Sequence, residues 1–205
     1  MRAVMNLTAH TLKLQNIDDT HRYQDLCRLF DQTFSQSENT RLIKGDGEPV
    51  YLPLSNNHHY HQIIFAHGYF ASALHEIAHW CIAGKERRLM EDYGYWYCPD
   101  GRNKQQQGEF EQVEIKPQAI EWAFSVAAQK PFRVSTDNLH GAQPDTFAFH
   151  NKVQQQALNY LQYGFPNRAQ QFIRVLQEFY LSHPLCPKDF ASGELSPTRA
   201  ANGTF

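Results

Sequence analysis

Between residues 20 and 34 apolar side chains return every three or four positions, as Tyr23, Leu26, Leu29, Phe30 and Phe34, with Thr33 on the same stripe. That spacing predicts a core-packing helix, with Thr20 as its N-cap. Residues 1–19 carry no clear period and are expected to form a flexible arm. Two extended runs, 40–44 and 50–54, flank turn chemistry at 45–49. Residues 62–66 read as a buried strand ending at His67-Gly68.

A helix is expected over 70–84, with Ala71, Ala73, Leu74, Ile77, Ala78 and Ile82 supplying apolar surface and Gly84 as the stop. Residues 93–102 are rich in aromatics, which favour strands, and close on a Pro99-Asp100-Gly101 turn. Residues 105–107 read as a polar linker. A second long helix follows over 109–124, in which Pro117 either occupies the first turn or kinks a longer helix. Residues 132–144 look irregular, and Asp145 is placed to cap a helix running to Gly164. A last amphipathic helix covers 166–180, with Phe172, Val175, Leu176 and Phe179 inward. Beyond Pro187 the chain turns small and polar, so 188–205 are expected to be a flexible tail. The pattern shows no repeat and no dividing linker. It predicts an α+β fold, mainly helical, with a small sheet, in one catalytic domain over 20–187.

Composition narrows the class. A chain of 205 residues that is 41% hydrophobic and 13% aromatic can bury a core and is not disordered. A formal charge of -2 supplies no basic field for nucleic acid. Four widely spaced cysteines, with no C-x-x-C, fit a reduced compartment better than a disulfide scaffold. No signal peptide and no membrane-length apolar run is visible, so the cytosol is the expected place.

The chemistry concentrates at His75-Glu76-Ile77-Ala78-His79. Two imidazoles four positions apart share a helix face and can reach one metal ion. Neutral nitrogens suit zinc, iron, nickel or copper better than magnesium or calcium. Two histidines do not complete a site. Catalytic zinc takes a third protein ligand and keeps one position for water. Ferrous oxygenases take two histidines and one carboxylate and keep positions open for oxygen and substrate.

The acidic run Glu109, Glu111, Glu114, Glu121 is the best source of the third ligand. Glu114 shares a helical face with both Glu111 and Glu121, so it ranks first and Glu111 second. Glu76 would be the general base of a zinc peptidase, the commonest use of this motif, and it would face substrate or support a ligand in an oxygenase. A zincin-like core is the architecture such a motif helix brings. A pair that merely staples a binding module is the third reading. The histidines at 58, 59 and 61 lie in a polar loop and read as surface. Lys85, Arg87, Arg88 and Arg102 read either as solvated charge or as docking points for an acidic partner.

Several segments in order carry a resemblance: 40–46, 65–68, 75–85, 95–102 and 113–119. Together, over about residues 20–185, they resemble the bacterial elongation factor P hydroxylase family. The resemblance implies hydroxylation of the β-lysylated lysine of elongation factor P. It also implies a metal centre, taken to be Fe(II), held by His75, His79 and Glu114. Molecular oxygen would be the co-substrate, and 2-oxoglutarate is not expected. Hydroxylating an unactivated C–H bond does require a redox metal with open positions. A lysine arm would suit aromatic walls and a carboxylate, which makes Tyr95, Trp96, Tyr97, Asp100 and Arg102 the candidate substrate contacts beside Glu76.

Overall fold

A computed structural model describes residues 20–93, 100–138 and 140–191. Among them it contains five α-helices and a three-stranded sheet. The first helix, α1 (Tyr23–Phe34), buries Leu26, Leu29, Phe30 and Phe34. Its N-cap is Arg22 rather than Thr20, and no side-chain hydrogen bond caps it. Strands β1 (Thr40–Gly45), β2 (Val50–Leu52) and β3 (His61–Ala66) follow. The sheet order is β1-β3-β2. β3 lies in the centre, parallel to β1 with Thr40 opposite His61, and antiparallel to β2 with Val50 opposite Ile64. Ile63 and Phe65 are its buried face.

The turn out of β3 aims the next helix. His67 (φ 52°) and Gly68 (φ 78°) both adopt the left-handed conformation. The positive φ at position 68 favours glycine, and a Cβ there would stand 3.1 Å from the Tyr23 ring, which would have to give by a few tenths of an ångström. Helix α2 (Phe70–Ile82) then packs on the sheet, and the Ser72 hydroxyl accepts from the Ala66 amide at 3.0 Å. Ala73, Leu74, Ile77 and Ala78 are fully buried. Each buried Leu or Ile contributes about 1.5–3 kcal/mol.

Gly84 is not what ends this helix. The backbone turns extended at Ala83, and the Arg168 Nη2 group donates to the free carbonyls of Trp80 (2.8 Å), Cys81 (3.2 Å) and Ala83 (2.7 Å). A cation at a helix C-terminus satisfies both the orphan carbonyls and the dipole.

Helix α3 (Lys104–Ala127) is continuous through Pro117. Of the two placements open to that proline, the interior one is adopted. It leaves the Val113 carbonyl without its usual helical donor, in the turn that carries Glu114. Residues 105–107 are the first turn of this helix, not a linker. Asn103 and Gln106 form a reciprocal capping box, and Gln107 is buried against Arg102. Local capping outweighed the polar composition there.

Helices α4 (Thr146–Tyr163) and α5 (Asn167–Tyr180) close the core. Asp145 caps α4 through the Ala148 amide at 2.9 Å. Phe172 and Leu176 of α5 are fully buried, but Phe179 is 40% exposed and lies under the Arg28 guanidinium. Phe30, Phe34, Trp80 and Phe172 pack edge-on or tilted at 4.9–6.2 Å, joining α1, α2 and α5. At the start of the expected tail, a 3-10 turn, Pro187–Phe190, carries Phe190 into the core against Trp122. No helix of the described residues is long and apolar enough to cross a membrane.

Candidate metal centre

Helix α2 presents His75 and His79 toward α3, and α3 answers with Glu114, Gln118 and Glu121. Positions four and seven residues beyond Glu114 fall on its own stripe, so the helix period itself lines up the three polar side chains. Glu114 is 2% exposed, a burial that a carboxylate tolerates only with partners.

Those partners are close. The His75 and His79 Nε2 atoms are 3.0 Å apart. His79 Nε2 lies 3.2 Å from Glu114 Oε1, and His75 Nε2 lies 3.6 Å from Glu114 Oε2. Donor atoms of all three residues fall within 4.8 Å of one another. Metal–nitrogen and metal–oxygen bonds of about 2.1 Å put neighbouring donors roughly 3.0–3.4 Å apart. The donor set therefore has the composition and nearly the spacing that zinc or ferrous iron requires. Glu111 is not among these clustered donors. It is held by Gln107 Nε2 at 3.1 Å, away from the histidines.

A second tier fixes the first. Glu121 Oε2 is 2.8 Å from His75 Nδ1, which leaves Nε2 as the atom turned toward Glu114. Gln118 donates to Glu114 Oε2 at 3.3 Å and grips Ser135 at both ends, donating to its carbonyl (2.7 Å) and accepting from its amide (3.0 Å). The irregular segment after α3 is thereby pinned at the cavity. Glu121 belonged to the acidic run visible in the sequence, but its attachment to His75 did not show there. Gln118 escaped notice, although its four-residue offset from Glu114 was a usable signal.

The electrostatics are those of a cation trap. Burial opposes protonation of His75, yet the bonded Glu121 carboxylate, helped by the charges of Glu114 and Glu76, outweighs it and lifts the imidazole to about 10. Burial alone would raise Glu114; the facing histidines, His79 first, and the Gln118 amide hold it at about 2. Burial pushes the Glu76 carboxyl up, Glu114 and Glu121 push the same way, and the histidines pull against them.

Two cavities meet here. The wider is bounded by His75, Glu76, His79, Glu114 and Glu121, with the exposed Tyr93 and Asp137 also lining it. The narrower is walled by Tyr51, Ile63, Trp80, Ile82 and Val113, and it shares Glu76 and His79 with the first.

The proposed substrate contacts fare differently. Tyr95, Trp96 and Tyr97 lie outside the described residues. Asp100 pairs with His140 and is not among the residues bounding either cavity. Arg102 is fully buried, against the expectation of a substrate or docking contact. Its guanidinium lies 3.7 Å from the Phe110 ring centre and donates to Gln107 Oε1 (2.9 Å) and the carbonyls of Thr136 (3.0 Å) and Asp137. Its amide donates to Asn138 Oδ1 at 2.9 Å. It ties the start of α3 to the 136–138 segment. Arg87 is bonded to Asp92, and Arg88 to Glu38 at 2.7 Å. Lys85 is exposed.

Fold and site together define an α+β protein with a two-histidine, one-carboxylate donor cluster between facing helices. Residues 29–190 match the family described as elongation factor P hydroxylase. A curated relative, the elongation factor P lysine hydroxylase of Haemophilus influenzae (strain ATCC 51907 / DSM 11121 / KW20 / Rd), is 48% identical over 160 residues, which cover 78% of this chain and 90% of the relative. The chain belongs to the elongation factor P hydroxylase family.

Proposed function

We propose that this protein is an oxygenase that hydroxylates the β-lysylated lysine of elongation factor P at a metal, Fe(II), held by His75, His79 and Glu114. The observation that carries this is the convergence of those three donors, within 4.8 Å, in a chain 48% identical to a named elongation factor P lysine hydroxylase. Bound iron supplies the oxygen activation that no side chain can provide. One atom of O2 enters the C–H bond and the other leaves as water, with two electrons and two protons from an external reductant. No 2-oxoglutarate is required.

The chain's own residues do the rest. Glu121 orients His75, Gln118 orients Glu114, and the buried setting of Glu114 keeps bulk water from its carboxylate. The two cavities give an extended side chain room to lie over the histidines. The pairing of a His-Glu-x-x-His helix with a carboxylate from the next long helix supports a zincin-like core, adapted to oxygen chemistry. We take 20–187, with the buried Phe190, as the catalytic unit, supported by the family match over 29–190 and the continuous core. A cytosolic setting follows from the substrate.

The test is intact-mass measurement of lysylated elongation factor P after incubation with the protein, ferrous iron, a reductant and oxygen. The expected result is a gain of one oxygen atom on the modified lysine. Stoichiometric zinc with peptide cleavage and no oxygen gain would establish the peptidase chemistry instead.

A further inference from the structure

An amine-bearing arm that enters this site brings a positive charge. Burying an ammonium next to a metal costs several kcal/mol unless a carboxylate meets it. The acids at the two cavities can be accounted for one by one. Glu114 faces His75 and His79. Glu121 is bonded to His75. Asp92 is bonded to Arg87. Asp137 is exposed. Glu76 remains. It is half-buried, it forms no hydrogen bond or ion pair among the described residues, and it borders both cavities. On the helix it stands one step from His75 and three from His79, so its carboxylate flanks the metal-facing stripe without joining it.

We infer that Glu76 is a positioning residue that binds the ammonium head of the substrate's lysyl arm at the junction of the two cavities, so that a carbon of that arm lies over the donor cluster. This rests on the function proposed above. The chemistry of the walls agrees. Ile63, Trp80, Ile82 and Val113 suit methylene groups, the Arg87 and Arg88 cations of the same wall are paired with Asp92 and Glu38, and the Glu76 carboxylate lies where the slot meets the histidines. Hydroxylation leaves the ammonium intact, so a salt bridge formed on binding persists through the reaction and fixes which carbon reacts. A proton-transferring Glu76, as in a peptidase, would instead act on water and leave binding unchanged.

The test compares affinities of the iron-loaded protein for two ligands under anaerobic conditions, where binding proceeds without turnover. One ligand is lysylated elongation factor P; the other is elongation factor P with the target lysine changed to methionine. The wild-type protein should prefer the first. Glu76→Gln should cut that preference roughly 10- to 100-fold, as expected for a lost charged hydrogen bond, with metal content unchanged. Glu76→Asp should recover part of it. A second measurement needs no variant: n-butylammonium should compete with the lysylated ligand for the wild-type protein, and 1-butanol should not. An undiminished preference in Glu76→Gln, or equal competition by amine and alcohol, overturns the assignment while oxygen transfer by the wild type still stands. A wild-type protein that adds no oxygen overturns the functional proposal itself.

Discussion

Glu121 offers the sharpest test of how the centre is built. Its carboxylate is 2.8 Å from His75 Nδ1 and touches neither His79 nor Glu114 within hydrogen-bonding distance. Glu121→Gln keeps the shape and removes the charge. Loss of such a carboxylate partner lowers metal affinity about 10- to 100-fold, or about 1.4–2.7 kcal/mol. The same carboxylate also favours a proton on His75, which competes with the metal, so its removal has an opposing effect. The divalent ion carries twice the charge of the proton, so the net change is a loss of affinity. Glu121→Ala should fall at the upper end, because it also removes the oxygen that orients the ring. Competitive titration against a chromophoric chelator measures the affinities, and thermal melting of the metal-free variants checks the fold. Glu111→Gln is the control, since Glu111 is bonded to Gln107 and lies off the centre. Wild-type affinity in Glu121→Gln, or an equal loss in Glu111→Gln, would refute the assignment of Glu121 as the His75 orienter.

Arg102→Met should lower stability by about 2–3 kcal/mol, because it strands the buried Gln107 side-chain oxygen and the part-buried carbonyls of Thr136 and Asp137. Chemical denaturation checks this, and an unchanged midpoint with weakened substrate binding would restore Arg102 to the surface role expected from sequence. Arg168→Ala uncaps the end of α2 beside His79 and should cost about 2 kcal/mol, read from the same measurement. In the metal-free protein the raised His75 contributes stability that is complete below about pH 6.5 and is lost as pH rises through about 10. The lowered Glu114 contributes stability that is complete above about pH 4.5 and is lost as pH falls toward about 2. Denaturation curves across that range should show both arms, and His75→Asn should flatten the alkaline one. Loading the metal-free protein at neutral pH should release protons, detected by calorimetry in buffers of different ionisation enthalpy.

Much of the architecture was legible because local signals agreed with the tertiary outcome. The stripe of α1, the capping Asp145 and the apolar run of β3 each dictated their element. The motif helix was legible for the same reason, and the face that Glu114 shares with two other acids pointed to the carboxylate that clusters with the histidines. What escaped was long-range. Arg168 stops α2 from 85 residues away in sequence, and no pattern near Gly84 reports it. Arg102 reads as surface charge until the carbonyls of Thr136 and Asp137 and the ring of Phe110 enclose it. Phe179 fits the stripe of α5 yet lies at its edge, where Arg28 covers it. The four-residue offset of Gln118 from Glu114 marks their shared face, but only the return of Ser135 over α3 makes it a clamp.

The most direct measurement is metal content per chain for the wild-type protein and for Glu114→Ala and Glu111→Ala, each loaded with ferrous iron and freed of excess. One ion in the wild type, one in Glu111→Ala and almost none in Glu114→Ala is the outcome expected of a centre built by His75, His79 and Glu114. Full occupancy in Glu114→Ala, or its loss in Glu111→Ala, would contradict that ligand set.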